Sequence, residues 1–364
     1  MSRTLISTYT GAGGLDIGFR AAGFAPIWAN DIDAAAAQTY EAEFDSHIHV
    51  GNIRTVPWPE PLSADVMIGG PPCQGFSLAG RMDPNDPRSR HVYDFMEMVG
   101  HVRPIAFVME NVAALAVNPR WADVRDWLVA RGRQLGYDAR IHLVKASDYG
   151  VPQARERMFL VGLPEGVAAD FQLTPSTELS PPTVIDALSS LPQFGKPGND
   201  SAATAKITFA KRPVLRKSPF AGMLFNGQGR PLNLEAPSLT LPASMGGNGT
   251  PIIDQYQLDH GGDHWILEYH DHLMGGGESY EGEAPSRLRR VTVEEAAAIQ
   301  TFPPDMTFVG SQSAQFRQIG NAVPPRLARS VAEALMVAIE RPGMSAASLQ
   351  RNRETLFAVD AYAS

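Results

Sequence analysis

The chain has almost no cysteine and no long hydrophobic run, and each shortage excludes a class of protein. One cysteine among 364 residues cannot build a disulfide framework. No apolar stretch approaches the roughly 18 residues of a membrane-spanning helix, and the opening residues Met1 to Ile6 lack the apolar segment of a secretory signal. We therefore expect a soluble protein of the reducing cytoplasm, with no membrane partner.

Positive charge is scarce as well, because the formal net charge is −8. This value excludes a uniformly basic coat for nucleic acid, so any such contact must come from local positive patches. The length of 364 residues exceeds what one small core requires. We expect two domains, or one large domain with an insertion.

Short apolar segments alternate with helical patterns in the first half of the chain. The predicted strands lie near residues 5–8, 27–29, 48–50, 66–68, 105–109, 139–144 and 158–161. Apolar residues recur at helical spacing between them, for example over 15–22, 34–43 and 90–101. This alternation predicts an α/β fold with a doubly wound, mostly parallel sheet.

The composition changes near residue 173. From there to about residue 285, proline and glycine are frequent and apolar residues show little sustained periodicity. We expect a first domain over 1–174, a smaller loop-rich domain inserted over 175–300, and a segment over 301–342 that returns to the first domain. A predicted helix over 326–339 lies in that returning segment. The last residues, 343–364, carry no clear signal and are expected to form a tail.

The single cysteine, Cys73, follows a short apolar run that ends in Gly69-Gly70 and is then separated from it by Pro71-Pro72. The run predicts a buried parallel strand, and the prolines predict an extended exit from it. Cys73 then stands just past the carboxyl end of a strand, where reacting groups collect in open α/β sheets. A lone cysteine is more often a small buried hydrophobe, and on this residue alone that interpretation stays open.

The segment Pro-Pro-Cys-Gln-Gly-Phe-Ser at 71–77 resembles the catalytic loop of the cytosine-5 DNA methyltransferases of bacterial restriction-modification type. Further blocks match in order over most of 4–175 and 286–340, with weak coverage between them. The resemblance implies a fold of the S-adenosylmethionine-dependent methyltransferase type, with a target-recognition domain over 175–300. It implies transfer of a methyl group to C5 of a cytosine in a specific duplex DNA sequence.

A glycine-rich turn at residues 9–16 follows the first predicted strand, and backbone there can approach a ligand closely. Asp16 stands where the dinucleotide fingerprint needs its third glycine, which disfavours a dinucleotide and favours a smaller nucleoside. Asp31, at the end of the second strand, is placed to accept hydrogen bonds from ribose hydroxyls. Its alternative role is to cap the next helix, a role that Asp33 can take instead.

The resemblance implies that this half of the chain binds S-adenosylmethionine and releases S-adenosylhomocysteine. The implied cofactor contacts are Tyr9, Gly11, Gly14, Leu15, Asp31, Ile32, Asn52, Ile53, Pro72, Asn321, Ala322 and Val323. Asn52 departs from the family pattern, which commonly has aspartate at that place.

The resemblance also assigns the chemistry to four residues. Cys73 as thiolate would attack C6 of the cytosine, because C5 is a poor nucleophile until a covalent adduct breaks the aromaticity of the ring. Glu110 would supply a proton to N3, Arg157 would bind the base, and Arg155 would position the loop and the substrate. From the residues alone, Glu110 fits an ordinary turn with a helix cap equally well, and the two arginines fit solvated ion pairs.

A buried thiol can reach a cytosine only if the nucleotide rotates out of the duplex, so double-stranded DNA is the expected partner. Residues 201–234 carry six Lys or Arg and no acidic residue, which suits phosphates or guanines, although such a run is often only a solvated face. The expected DNA-binding residues are Gln74, Ser77, Arg216, Lys217, Arg230 and Thr240. Arg287, Arg289 and Arg290 resemble a block that organises the recognition domain.

Three alternatives stay open beside this hypothesis. They are a tRNA cytosine-5 methyltransferase, a DNA-binding relative that has lost catalysis, and a cysteine hydrolase, for which nothing in the sequence places a histidine beside Cys73. The residues His260, Asp263, His264, His270 and Asp271 include metal ligands but match no helical zinc spacing, so we expect no metal. We expect a monomer, with a cognate restriction endonuclease as a further partner in the same system.

Overall fold

The first half of the chain forms a seven-stranded sheet with helices packed around it. The computed structural model describes residues 2–44, 48–58, 63–72, 87–175 and 180–340. The strands are β1 (Arg3–Thr8), β2 (Phe24–Asp31), β3 (Ile48–Val50), β4 (Val66–Gly69), β5 (Ala106–Val112), β6 (Tyr137–Lys145) and β7 (Glu156–Pro164). The helices are α1 (Gly14–Ala21), α2 (Ala34–Phe44), α3 (His91–Val102), α4 (Ala113–Val117) and α5 (Ala122–Gln134). The predicted strands and the predicted fold class are confirmed.

The order of strands in the sheet is β3-β2-β1-β4-β5-β7-β6, and only β7 runs antiparallel to its neighbours. The chain moves outward from β1 to β3 and then returns to place β4 beside β1. Ligands bind outside the carboxyl ends of the strands at such a switch point. The glycine-rich turn after β1 and the Gly70-Pro71-Pro72 segment after β4 therefore leave the sheet at the same edge.

The interior of the sheet is apolar because its central strands are covered on both faces. Six of the seven residues of β5 are buried. Phe107 on this strand packs so closely on β7 that a Cβ at Gly162 would lie 2.0 Å from its ring. Glycine is therefore required at position 162, and the central strands form a rigid support for the residues at their ends.

The described residues divide into two compact units. The sheet unit contains residues 2–145, 156–175 and 325–340, and the loop unit contains 146–155 and 180–324. Of the segment 301–342 that we expected to return to the first domain, the part before Pro325 belongs to the loop unit. Two bounds of the expected domains, 174 and 175, therefore lie close to a unit boundary, whereas 301 lies inside the loop unit.

The loop unit consists of short elements. They are α6 (Val184–Leu188), β8 (Phe209–Val214), β9 (Met223–Phe225), β10 (Ile252–Asp254), α7 (Gln255–His260), α8 (Ile266–Met274), β11 (Leu288–Arg290), α9 (Val293–Ile299) and α10 (Gln312–Asn321). Its strands form two pairs, β8 with β9 and β10 with β11, around a small apolar cluster that includes Phe225, Ile252 and Tyr269. So few strand hydrogen bonds leave much of the unit to be held by side chains.

The last described helix, α11 (Pro325–Ile339), belongs to the sheet unit and packs against α1. A Cβ at Gly18 on α1 would lie 2.4 Å from the Cβ of Ala328 on α11, so glycine allows the two helices to touch through their backbones. None of the helices in the described residues is long and apolar enough to cross a membrane.

Candidate active site

The glycine-rich turn after β1 has an unusual backbone. Tyr9, Gly11 and Gly13 have φ angles of 54°, 54° and 84°. Such values suit glycine, whereas for tyrosine they are strained, and strain of this kind concentrates at functional sites. A Cβ at Gly11 would meet no atom of the described residues within 4 Å. The turn therefore borders open space at Gly11, as a binding loop requires.

Asp31 at the end of β2 holds this turn in place. Its Oδ2 accepts a hydrogen bond of 2.7 Å from the Gly11 amide, and its Oδ1 accepts one of 2.8 Å from the Asp33 amide. Burial raises the pKa of Asp31, and these hydrogen bonds oppose that shift. Each carboxylate oxygen keeps a second acceptor position for a ligand. The helix cap is Asp33, whose Oδ1 accepts from the amides of Ala35 and Ala36, so this part of the sequence prediction is confirmed.

The neighbours of Asp31 offer an apolar surface and a local turn. Ile32 is 71% exposed, so its aliphatic side chain is accessible beside Asp31. The Asn52 side-chain oxygen accepts from the Arg54 amide at 3.0 Å, which shapes the turn after β3. Ile53 is 3% exposed and packs in the core of the sheet unit, so it can offer a ligand only its backbone.

A polar cluster that the sequence did not reveal surrounds Tyr9. Its hydroxyl lies 3.2 Å from Nδ1 of His91, and the same nitrogen lies 3.1 Å from Asp94. Arg54 donates to the same Asp94 carboxylate at 2.9 Å. Burial lowers the pKa of His91. These residues come from three separate segments, so no local motif announces the cluster, yet it fixes the ring beside the turn.

Polar side chains stand at the carboxyl ends of the neighbouring strands β4 and β5. Asn111 donates from Nδ2 to the carbonyl of Pro71 at 3.1 Å. Glu110 is 8% exposed, and its Oε1 lies 2.7 Å from Nε of Arg157. Its other oxygen lies 3.4 Å from where a Cβ of Gly70 would be. The predicted residues Cys73, Gln74 and Ser77 lie outside the described residues.

Arg155 and Arg157 bind different groups, although an extended segment points residues spaced by two to one side. Arg157 is the second residue of β7, in the sheet unit, and pairs with Glu110. Arg155 belongs to the loop unit and is 1% exposed, and its guanidinium donates to the carbonyls of Leu241 at 3.3 Å and Gly320 at 2.9 Å. Two bonds to separate segments make Arg155 a brace inside the loop unit.

The remaining predicted cofactor residues occupy three places. Gly14 and Leu15 form the buried first turn of α1, and Pro72 is the last described residue before a gap. Asn321 ends α10 in the loop unit, and Ala322 and Val323 follow it before α11. Whether these residues contact a cofactor stays a prediction.

The sequence matches the family model of the C-5 cytosine-specific DNA methylases over residues 3–337. The chain belongs to this family. The predicted family and the predicted class of enzyme are thereby confirmed: this methylase is a DNA (cytosine-5)-methyltransferase. The site residues predicted at the ends of β1, β2, β4 and β5 lie at the edge where a doubly wound sheet binds ligands.

Curated relatives agree with this assignment. The methylase is 31% identical to the type II methyltransferase M1.HphI of Haemophilus parahaemolyticus, over 92% of this chain and 87% of that protein. It is 30% identical to M.MthTI of Methanothermobacter thermautotrophicus, over 93% of this chain and 99% of that protein.

Two solved structures share the fold at low sequence identity. The Entamoeba histolytica methyltransferase EhMeth has a TM-score of 0.65 and 16% identity, with 94% of this chain and 100% of that chain covered. The S. pombe Dnmt2 methyltransferase has a TM-score of 0.61 and 16% identity, with 93% and 98% covered. At this identity the likeness concerns the fold alone.

Three arginines on and before β11 hold the loop unit of the methylase together. Arg287 donates to Oδ1 of the fully buried Asp254 at 2.8 Å. Arg289 forms two bonds with the Glu295 carboxylate, at 2.8 and 2.6 Å. Paired bonds of this kind have a fixed geometry, so they set the position of β11 against its neighbours.

The third arginine, Arg290, binds neutral oxygen atoms. It is 3% exposed, and it donates to the carbonyls of Ala205 at 3.0 Å and Thr250 at 2.7 Å. A Cβ at Gly229 would lie 2.1 Å from the Thr250 carbonyl and 2.6 Å from the Arg290 guanidinium. Arg290 and glycine together bring the loops around 229 and 250 into contact, and no sequence pattern near Arg290 identifies these partners.

The described DNA-binding candidates all have exposed side chains on the loop unit. They are Arg216, Lys217, Arg230 and Thr240. The carbonyl of Arg216 lies 2.9 Å from Nε2 of His270, so the segment that carries two of the three positive candidates is anchored to α8. Their contact with DNA stays a prediction.

The histidines of the predicted 260–271 cluster serve the loop unit itself. Nδ1 of His264 accepts from the Ile266 amide at 3.0 Å, so this ring is neutral, and burial lowers its pKa to about 4. Among the described residues, no group of three or more His, Cys, Asp or Glu is arranged to hold a metal ion.

Proposed function

We propose that this methylase transfers a methyl group from S-adenosylmethionine to C5 of a cytosine rotated out of duplex DNA, through a covalent bond between Cys73 and C6. The supporting observation is the convergence at the ends of β4 and β5. Asn111 holds the carbonyl of Pro71, two residues before Cys73, and the Glu110–Arg157 pair lies beside Gly70. A nucleophile, a proton donor and a cationic group for the base then belong to one edge of the sheet.

The described residues fit a nucleoside with a short polar tail as cofactor. Asp31 keeps free acceptor positions for ribose hydroxyls, the exposed Ile32 offers an apolar face for adenine, and the turn at Gly11 opens onto free space. When bound, S-adenosylmethionine would supply an electrophilic methyl group. Asn52, with one acceptor position of its side chain used by Arg54, would meet the adenine edge.

The residues of the chain act on the cytosine. Asn111 fixes where the segment toward Cys73 leaves the sheet, and the Cys73 thiolate adds to C6. Once C5 carries the methyl group, loss of the C5 proton to a base restores the C5–C6 double bond and releases the Cys73 thiolate. Because the positive charge of Arg157 favours the ionised form of its partner, Glu110 takes up a proton from solvent, and passes it to N3, only when this ion pair weakens. A base that draws Arg157 toward its O2 produces that change, so the same contact binds the cytosine and prepares the acid.

Duplex DNA is the proposed partner, and its backbone would meet the positive residues of the loop unit, Arg216, Lys217 and Arg230. Type II systems pair a methyltransferase with an endonuclease, so a cognate restriction endonuclease that reads the same DNA site belongs to this proposal. We also propose that the methylase acts as a monomer, because one flipped base needs one active site.

A covalent trapping experiment tests the reaction. The wild-type protein and Cys73→Ser are incubated with the methyl donor and with DNA duplexes in which cytosines of a bisulfite-mapped target site are replaced by 5-fluorocytosine. We expect a denaturant-stable protein–DNA adduct with the wild type alone, and retained DNA binding by Cys73→Ser. Methylation of the duplex without an adduct contradicts the Cys73 mechanism. Methylation of tRNA in place of duplex DNA contradicts the DNA assignment.

A further inference from the structure

A fully buried acidic residue, Asp16, lies in the first turn of α1 directly after the glycine-rich turn. Its Oδ2 accepts from the Ser7 hydroxyl on β1 at 2.9 Å, and its Oδ1 accepts from the Tyr40 hydroxyl on α2 at 3.0 Å. Asp16 and Tyr40 are each 0% exposed and Ser7 is 1% exposed. One carboxyl group therefore joins three elements of the sheet unit below the proposed donor site.

Burying a carboxyl group is costly, so its presence calls for a use. Burial raises the pKa of Asp16 to about 7, in spite of the two hydroxyl bonds. A hydrophobic residue of similar volume avoids this cost and often stabilises the fold as well. No step of the proposed reaction uses Asp16. What distinguishes it from a hydrophobic residue is that it fixes two hydroxyl groups at defined positions.

The Tyr40 ring connects Asp16 with the glycine-rich turn. Gly13 caps α1 with a φ of 84° and without a side-chain hydrogen bond. A Cβ at Gly13 would lie 3.0 Å from the Tyr40 ring and 2.7 Å from the Phe44 ring, and these rings stack with their centroids 4.3 Å apart. The backbone of the turn thus packs on the Tyr40 and Phe44 rings, and the hydrogen bond to Asp16 fixes the position of the Tyr40 ring.

We propose that Asp16 is a positioning residue for the methyl donor: through Ser7 and Tyr40 it holds the Gly11–Gly14 turn in the shape that admits the amino-acid end of S-adenosylmethionine. This inference rests on the proposed function, in which that turn binds the donor. Loss of the Asp16 bonds lets the Tyr40 ring shift, and the turn then has to be ordered again at each binding event.

The test compares donor affinity with fold stability. Asp16→Asn keeps the shape but cannot accept from both hydroxyls, and Tyr40→Phe removes one bond. The matched control is Tyr137→Phe, which removes the buried hydrogen bond from the Tyr137 hydroxyl to the Pro104 carbonyl. Tyr137 lies on β6, at the edge of the sheet opposite β3. Isothermal titration with S-adenosylhomocysteine measures the dissociation constant, and thermal unfolding measures stability.

We expect Asp16→Asn and Tyr40→Phe to weaken S-adenosylhomocysteine binding about tenfold, as the loss of a buried hydrogen bond predicts. Tyr137→Phe should change the dissociation constant less than about twofold, at a similar loss of melting temperature. In methylation assays the variants should show a raised KM for the donor, with kcat restored at saturation. Should Asp16→Asn not fold, Ser7→Ala removes one bond alone and is expected to weaken binding by about threefold.

The outcomes separate the two proposals. If the wild type binds S-adenosylhomocysteine and the variants lose stability without losing affinity relative to Tyr137→Phe, Asp16 has only a structural role and the inference is wrong, while the proposed function stands. If the wild type does not bind S-adenosylhomocysteine, both the cofactor assignment and the inference fail.

Discussion

The sheet unit positions its site residues at the ends of strands, whereas the loop unit positions its loops through buried side chains. Glu110, Asn111 and Asp31 stand where they do because long ladders of backbone hydrogen bonds fix β2 and β5. In the loop unit the named strand pairs are short, and Arg155 and Arg290 donate instead to backbone carbonyls of separate segments. A side chain in the first unit can specialise in chemistry, while in the second it must first maintain the fold.

This difference predicts how each unit responds to substitution. A change at a strand end of the sheet unit removes a chemical group and leaves the apolar core intact. A change at a clamping arginine of the loop unit leaves buried carbonyls without donors, which costs more than the bond itself gained. Activity and stability should therefore separate in the sheet unit and fall together in the loop unit.

The largest effect is expected at Glu110. Glu110→Gln keeps the shape and removes the proton donor, so single-turnover methylation of duplex DNA should slow by about 10²–10⁴-fold, the usual contribution of a general acid. The melting temperature should change little, because β5 retains its core contacts.

The matched control for this variant is Glu97→Gln on α3. Glu97 is 62% exposed and pairs with Arg131 at 3.4 Å, so its loss also breaks an ion pair of the sheet unit, away from the strand ends. We expect an unchanged methylation rate for the control. Equal rates for Glu110→Gln and Glu97→Gln would exclude Glu110 as the acid.

Much of the sheet unit could be predicted because its pattern is local. The strands contain short apolar runs, and Asp31 and Glu110 stand at or near the ends of two of them, so their placement follows from the order of segments. The assignment of the α2 cap to Asp33 was equally readable. The catalytic role predicted for Glu110 rests on the resemblance, because a carboxylate near a strand end is chemically ambiguous.

The remaining features depend on contacts between distant segments. Asp16 was visible only as a missing glycine, and its bonds to Ser7 and Tyr40 require the packed sheet. Likewise, nothing local in the sequence pairs Arg290 with the carbonyl of Thr250, or His91 with Tyr9. Contacts between distant segments produce no periodic pattern in the sequence. The ends of strands can therefore be predicted more easily than the side-chain contacts that hold them in place.

A second prediction sharpens the comparison at Arg290. Arg290→Met should destabilise the loop unit by about 3 kcal/mol, because the carbonyls of Ala205 and Thr250 lose a charged donor in a buried place. Calorimetric unfolding should show a lowered transition, with methylation lost at the same temperature.

The corresponding change in the sheet unit is Arg329→Met. Arg329 is 58% exposed and bonds to Glu333 one helical turn away, so we expect a loss below about 0.5 kcal/mol. If Arg290→Met proves as mild as this control, backbone clamping by arginine does not hold the loop unit, and the contrast between the two units disappears.

The smallest effect is expected at the exposed cations of the loop unit, where neither fold nor chemistry is at stake. Each phosphate contact contributes about 0.9 to the slope of log affinity against log salt, so the double variant Arg216→Ala, Lys217→Ala should reduce the slope for duplex binding by about 1.8. Arg133→Ala is the control, because this exposed arginine lies in the last turn of α5, at the amino-terminal edge of the sheet and opposite the predicted site. Fluorescence anisotropy over a salt series measures both slopes. An unchanged slope for the double variant would mean that DNA meets another face of the loop unit, since these two side chains contribute to binding through their charge.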